Sequence, residues 1–155
     1  HLRGGRDVTE WIAVLMRWGH VGSAMIAIGA TLFARMILLP ALPVIDEAGR
    51  NALMGRILPR YRHVLWMALL LIIITGVYNY VAVLDEKSMA VDRAYFIVLN
   101  IKVLLAVAIT VIALMLTVPS QVFAKMQAVG KKWMTVNLIL AFILLALGAW
   151  LRLQW

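Results

Sequence analysis

The chain contains no cysteine, which excludes disulfides, Cys-ligated zinc, iron–sulfur clusters and thiol nucleophiles from within it. Charge is also scarce, at 14% of residues, where a soluble domain carries about 25%. Strand-like alternation, internal repeats and low-complexity tracts are missing. What remains is apolar length. Of the 155 residues 65% are hydrophobic and the mean hydropathy is +0.95, well above the roughly 45–50% apolar content of soluble domains. Residues 1–155 therefore read as one integral membrane domain.

The net charge of +8 does not make this a nucleic-acid binder. Its cations punctuate apolar runs and form no basic stripe with interleaved aromatics. Basic flanks on spanning helices are ordinary determinants of topology.

A helix needs about 20 mostly apolar residues to cross a bilayer, and four segments qualify. They run over about 11–39, 63–84, 95–118 and 133–153, the first ending at Pro40-Ala41-Leu42-Pro43 and the third before Pro119. The sequence thus predicts an all-α integral membrane protein, a four-transmembrane-helix antiparallel bundle. Between the first two spans, 47–58 intersperses apolar and basic residues as a short interfacial helix does.

Four spans place the N-terminus, the second connection (Asp85–Arg93) and the C-terminus on one side, here the proximal side. It carries Arg3, Arg6, Arg17, Lys87, Arg93 and Arg152. The distal side carries Arg35, Arg50, Arg56, Arg60, Arg62, Lys125, Lys131 and Lys132, with only two of the seven acids. The cation excess assigns the distal side to the cytoplasm and both termini to its outside.

Ionisable groups inside a span cost about 2.5–3.5 kcal/mol on insertion scales, so they are where function is sought first. His20 lies about 13 Å into span one from the proximal side and Lys102 about 10 Å into span three. Arg17, Tyr78, Asn100 and Arg152 come from the same half. Together they predict a partly buried cationic pocket for an anionic, quinone-like or porphyrin ligand. The bland readings are snorkelling for Arg17 and Arg152, an aromatic belt for Trp11, Trp18, Tyr78, Tyr80, Trp150 and Trp155, and a helix–helix hydrogen bond for His20.

An intrachain bis-histidine haem is disfavoured. His63 opens span two on the distal side, whereas His20 is about 27 Å from that end of span one. Haem ligation then falls to His20, with Lys102, Met25 or a partner chain as candidates for a second ligand. The nine methionines show no tight cluster suited to copper, and packing accounts for them. Gly19, Gly22, Ser23, Ala27 and Ala30 give span one a small-residue face that admits another helix.

These segments resemble a known group. HVGSAMIAIGATLFARMILLP carries His20, Gly29 and Arg35; RILPRYRH precedes span two; IIITGVYNY contains Thr75-Gly76; and LNIKVLLAVAI carries Lys102. Over roughly 11–110 this is similar to the membrane family of HemJ-type protoporphyrinogen oxidases and the related CopD-like copper-resistance domain. The resemblance implies a helical bundle of the bacterial inner membrane that binds haem b. It implies His20 as axial ligand, and hence the metal-binding residue, with Lys102 and Arg35 as polar partners. Ile26 stands where the HemJ-type proteins have tryptophan, and Phe33-Ala34-Arg35 replaces their Leu-Pro-Arg step. No counterpart of their C-terminal acidic, proline-containing segment is present.

The reading that follows is a haem b-binding membrane protein in redox chemistry or electron transfer, an oxidoreductase if it is an enzyme. Its rivals are a non-catalytic subunit that packs with other membrane subunits or as a homo-oligomer, and a CopD-like copper transport component.

Overall fold

The computed structural model describes residues 3–87 and 93–153, without the side chains of 3–7, 85–87, 124 and 152. Among the described residues there is no strand. Four long helices are apolar and long enough to cross a membrane. They are α1 (Arg3–Phe33), α2 (Glu47–Lys87), α3 (Arg93–Thr117) and α4 (Gly130–Leu153).

The first span runs past the proline stop that its sequence predicts. After Phe33 the chain widens into a π-helical stretch, Ala34–Leu38, in which the Leu39 amide donates to the Ala34 carbonyl five residues back. One α-turn (Leu39–Ala41) and a 3-10 turn (Leu42–Val44) follow before Ile45 becomes extended. Pro40 has no N–H and its ring crowds the preceding turn; a wider turn just ahead of it relieves that conflict. Pro43 falls in the 3-10 turn that finally ends the helix.

The stretch 47–58 does not form a separate interfacial helix. It is the opening of α2, which continues unbroken through Pro59 into the second span. Pro59 removes one backbone donor, and a single loss is absorbed by a helix of 41 residues with packed turns on either side. The second connection lies mostly outside the described residues. Pro119 ends α3 as expected, since the residue before a proline is driven out of helical conformation. The freed carbonyls there are not left open: Gln127 Nε2 donates to Met115 O at 3.1 Å and Val118 O at 2.8 Å.

Cross-helix contacts fix an antiparallel ring. His20 meets Thr75, and Thr31 meets Tyr61, between α1 and α2. Trp66 meets Thr117, and Tyr80 meets Asn100, between α2 and α3. Lys102 lies against Gly148 and Leu116 against Gly130, between α3 and α4. Arg35 closes the ring onto α4 by donating to Lys131 O and Thr135 Oγ1, each at 3.2 Å. Contact is densest within the α1–α2 and α3–α4 pairs.

The core is thin and built of small residues. Leu65, Leu69 and Ala113 form its centre, with Ala27, Tyr61 and Ile72 against them; Ala34, Ala68 and Ala141 are also buried. Small side chains let helices approach closely where no hydrophobic effect drives them together. Most large apolar side chains point outward instead, from Trp11 and Leu15 on α1 to Leu145 on α4, a surface suited to contact with lipid. The hydroxyls of Ser23, Thr31, Thr75, Thr110, Thr117 and Thr135 donate to the carbonyl four residues back. Such bonding satisfies a polar group that has no water to turn to.

Candidate functional site

Of the two central candidates of the sequence, His20 reaches Thr75 on α2 and Lys102 lies against Gly148 on α4. His20 is half-buried on α1 and its Nδ1 lies 3.0 Å from Thr75 Oγ1 on α2. The direction of that bond follows from hydrogen counting. The one Thr75 hydroxyl hydrogen goes to the Leu71 carbonyl, with Ile72 O a longer second acceptor at 3.4 Å. With that hydrogen on the Leu71 carbonyl, the tautomer of His20 that carries its proton on Nδ1 donates to Thr75 Oγ1. In the neutral ring the other nitrogen, Nε2, then keeps its lone pair. This is the arrangement that metal-binding histidines adopt, one nitrogen held by an acceptor and the other free to ligate.

Two glycines make the room. A Cβ built on Gly76 would meet His20 Cε1 at 3.2 Å and Nδ1 at 3.6 Å, so the ring lies flat against α2 where a side chain is missing. A Cβ on Gly148 would meet Lys102 Nζ at 3.3 Å and Cε at 3.6 Å. The ammonium is thus laid over α4 in the same way. Lys102 is half-buried.

Register places these groups in one layer. Arg35 faces Thr135; from there His20 is fifteen residues toward the proximal side and Gly148 thirteen, about 22 Å and about 20 Å. His20, Thr75, Gly76, Lys102 and Gly148 therefore share one depth, drawn from all four helices. Among the described residues no group of three His, Asp or Glu side chains is placed to hold a metal ion. Any metal here would rest on His20 as its sole described histidine ligand, because His63 is exposed at the distal end of α2.

Of the remaining candidates, none whose side chain is described joins this layer. Arg35 is about 22 Å away along α1, bound to the start of α4, where the π-helical turn re-aims its side chain. Asn100 is exposed and two residues from Lys102, a spacing that turns it to the other face of α3. It accepts from Tyr80 OH at 3.2 Å and donates to Phe96 O at 2.7 Å. Tyr78, half-buried, is likewise turned away from Gly76 on α2. Arg17 is exposed, as are Met25 and the belt residues Trp11, Trp18 and Trp150. The side chains of Arg152 and Trp155 fall outside the described residues. Of the six residues expected to form a cationic pocket, His20 and Lys102 thus share one layer, and Arg17, Tyr78 and Asn100 lie off it.

Sequence reasoning quoted Thr75-Gly76 without seeing its role and passed over Gly148. The available signal was a glycine inside an apolar run, which marks close approach. A second polar spot lies at Asn137, a polar residue at the opening of span four. Between the four helices Ala27, Thr31, Leu69, Ala113, Asn137 and Ala141 line part of a cavity of about 30 Å³. Asn137 is buried there with its Oδ1 unpartnered.

No protein-family model matches the chain, and no curated protein or solved structure does either.

Proposed function

We propose that this chain is a four-span integral membrane protein that holds one haem b on His20 and serves redox chemistry or electron transfer. The observation that carries the reading is the His20–Thr75 bond; with Nδ1 donating to Thr75, Nε2 is left to ligate iron. The residues present fit such a group on one side. Gly76 gives the imidazole its place, and Lys102, with no acidic partner among the described residues, offers its ammonium to a carboxylate of the porphyrin. Haem would supply a one-electron couple. The chain orients the axial nitrogen through Thr75 and contributes a positive charge through Lys102. The inner bacterial membrane, with both termini outside the cytoplasm, suits the distribution of Lys and Arg.

The test is an absorption spectrum of the detergent-purified protein, oxidised and dithionite-reduced, from cells supplied with haem precursors. The expected result is a Soret band that shifts on reduction, about one haem per chain by analogy with a single axial histidine, lost in His20→Ala with helix content retained. A colourless wild-type protein overturns the reading.

A second reading, a non-catalytic subunit, is favoured by the outer face of α1. A Cβ on Gly22 or Gly29 would meet nothing within 4 Å, which leaves room for a neighbouring helix. Gly22→Leu would then release the chain from a co-purifying partner, and His20→Ala would not.

A further inference from the structure

The distal end of the bundle is a cationic rim. Eight of the fifteen Lys and Arg residues stand there, against Asp46 and Glu47 alone among the acids. Both acids are used by the start of α2. The Asp46 carboxylate folds over Gly49, where a Cβ would meet Oδ1 at 2.7 Å, and Glu47 opens the helix. Negative charge at a helix N-terminus complements its dipole. Among the described residues, none of the rim cations forms an ion pair with either acid.

Most rim cations are exposed and simply solvated. Arg62 is not. Its Nε is wholly buried and has no hydrogen-bond partner among the described residues. Trp66, one turn further along the same face of α2, donates its indole N–H to Thr117 at 3.0 Å, so Arg62 lies in the crease between α2 and the end of α3. The carbonyls that close α3 already accept from Gln127. A guanidinium is always charged and carries only donors; a buried, unmet N–H of that kind calls for an anionic oxygen from outside the chain. Toward the membrane interior both helices expose apolar side chains, Met67 and Leu70 on α2 and Val111 and Leu114 on α3. Charge at the rim with an apolar wall beneath it is the profile of an amphiphile with an anionic head.

We propose that the crease at Arg62 binds the phosphate of an anionic phospholipid, whose acyl chains lie along the α2–α3 wall. Arg60 and the neighbouring exposed cations supply the surrounding positive field. The proposal rests on the membrane-spanning part of the functional reading and is independent of haem.

The test is thermal unfolding of the full-length protein in detergent, followed by circular dichroism. It is titrated with phosphatidylglycerol, with phosphatidylcholine of the same acyl chains, and with sodium phosphate. Phosphatidylglycerol is expected to raise the midpoint saturably, while the other two leave it unchanged. Arg62→Gln should need roughly tenfold more phosphatidylglycerol for half the effect, and Arg93→Gln, on the proximal side, no more than the parent. An equal effect of phosphatidylcholine overturns the proposal, as does a full effect of phosphate alone or an unaltered response in Arg62→Gln. Should Arg62→Gln fail to fold, Arg62→Lys decides. It keeps the charge and the stem but lacks the Nε–H, so an undiminished response overturns the site.

Discussion

His20 and Thr75, 55 residues apart in sequence, are joined at 3.0 Å across the α1–α2 contact, with Thr75 accepting and passing its own hydrogen to Leu71. The threonine is thus an acceptor matched to the tautomer that carries its proton on Nδ1. Thr75→Val keeps the shape and removes the acceptor. Removing such an orienting partner lowers metal affinity by roughly 10–100-fold. Haem content per chain after dialysis against apomyoglobin should fall accordingly in Thr75→Val and recover in Thr75→Ser. Equal retention in all three proteins would show that Thr75 does not orient the ligand.

The two glycines of the layer should respond differently to alanine. At Gly76 the added methyl meets the His20 ring, which is tethered to Thr75 and cannot turn without breaking that bond. At Gly148 it meets the far end of a lysine side chain, which can swing aside. Gly76→Ala should therefore cost about 1–3 kcal/mol of stability. Gly148→Ala should be neutral or gain up to about 1 kcal/mol from helix propensity. Unfolding in mixed micelles, read by tryptophan fluorescence, ranks the two; the reverse order would mean that His20, not Lys102, is the freer side chain.

These glycines also show how far the sequence could be read. Apolar run lengths determine the four long helices, because crossing a fixed thickness demands a fixed length, and composition alone carries that demand. The pairing of His20 with Lys102 followed from counting residues inward from the same side. Facing was harder. Asn100 and Tyr78 share the depth of the layer but point away from it, and α3 and α2 are apolar nearly all round, so no hydrophobic stripe tells which face is inward. The π-helical turn at Ala34–Leu38 was invisible for a different reason: Pro40 signals a stop, and a wider turn ahead of it lets the chain continue instead, with Arg35 bound to α4. Likewise the 47–58 stretch carries interfacial composition, yet Pro59 leaves enough bonds on either side for one helix to persist.

Contact between the two helix pairs is sparse, and Trp66 supplies one of its few polar links by donating to Thr117 at 3.0 Å. Thr117 in turn donates to Ala113 O at 2.7 Å. Trp66→Phe removes the donor while keeping an aromatic ring. A lost neutral hydrogen bond of this kind costs about 0.5–1.5 kcal/mol. The cost should appear as easier separation of the pairs, seen as faster proteolysis in the 118–129 connection at constant helix content. An unchanged cleavage rate would place the strength of this seam in apolar packing alone.

Asn137 offers a sharper energetic test, because its amide oxygen is buried, unpartnered and set at the edge of a cavity lined by all four helices. A buried acceptor with no donor carries a desolvation penalty of about 1–3 kcal/mol. Leucine is close to asparagine in shape, has no polar atom to satisfy, and reaches into the space that the amide leaves open. Asn137→Leu should therefore stabilise the bundle, by about 1 kcal/mol after allowing for imperfect packing, in the same micelle unfolding experiment. The cavity is also large enough for one water molecule, and a water bonded to Oδ1 would reverse the sign, since leucine would then evict a satisfied partner. Asn137→Ser separates the two cases: it widens the space and keeps an acceptor, so it destabilises a dry cavity and is tolerated by a hydrated one. Stabilisation by leucine together with destabilisation by serine is the expected pair of results.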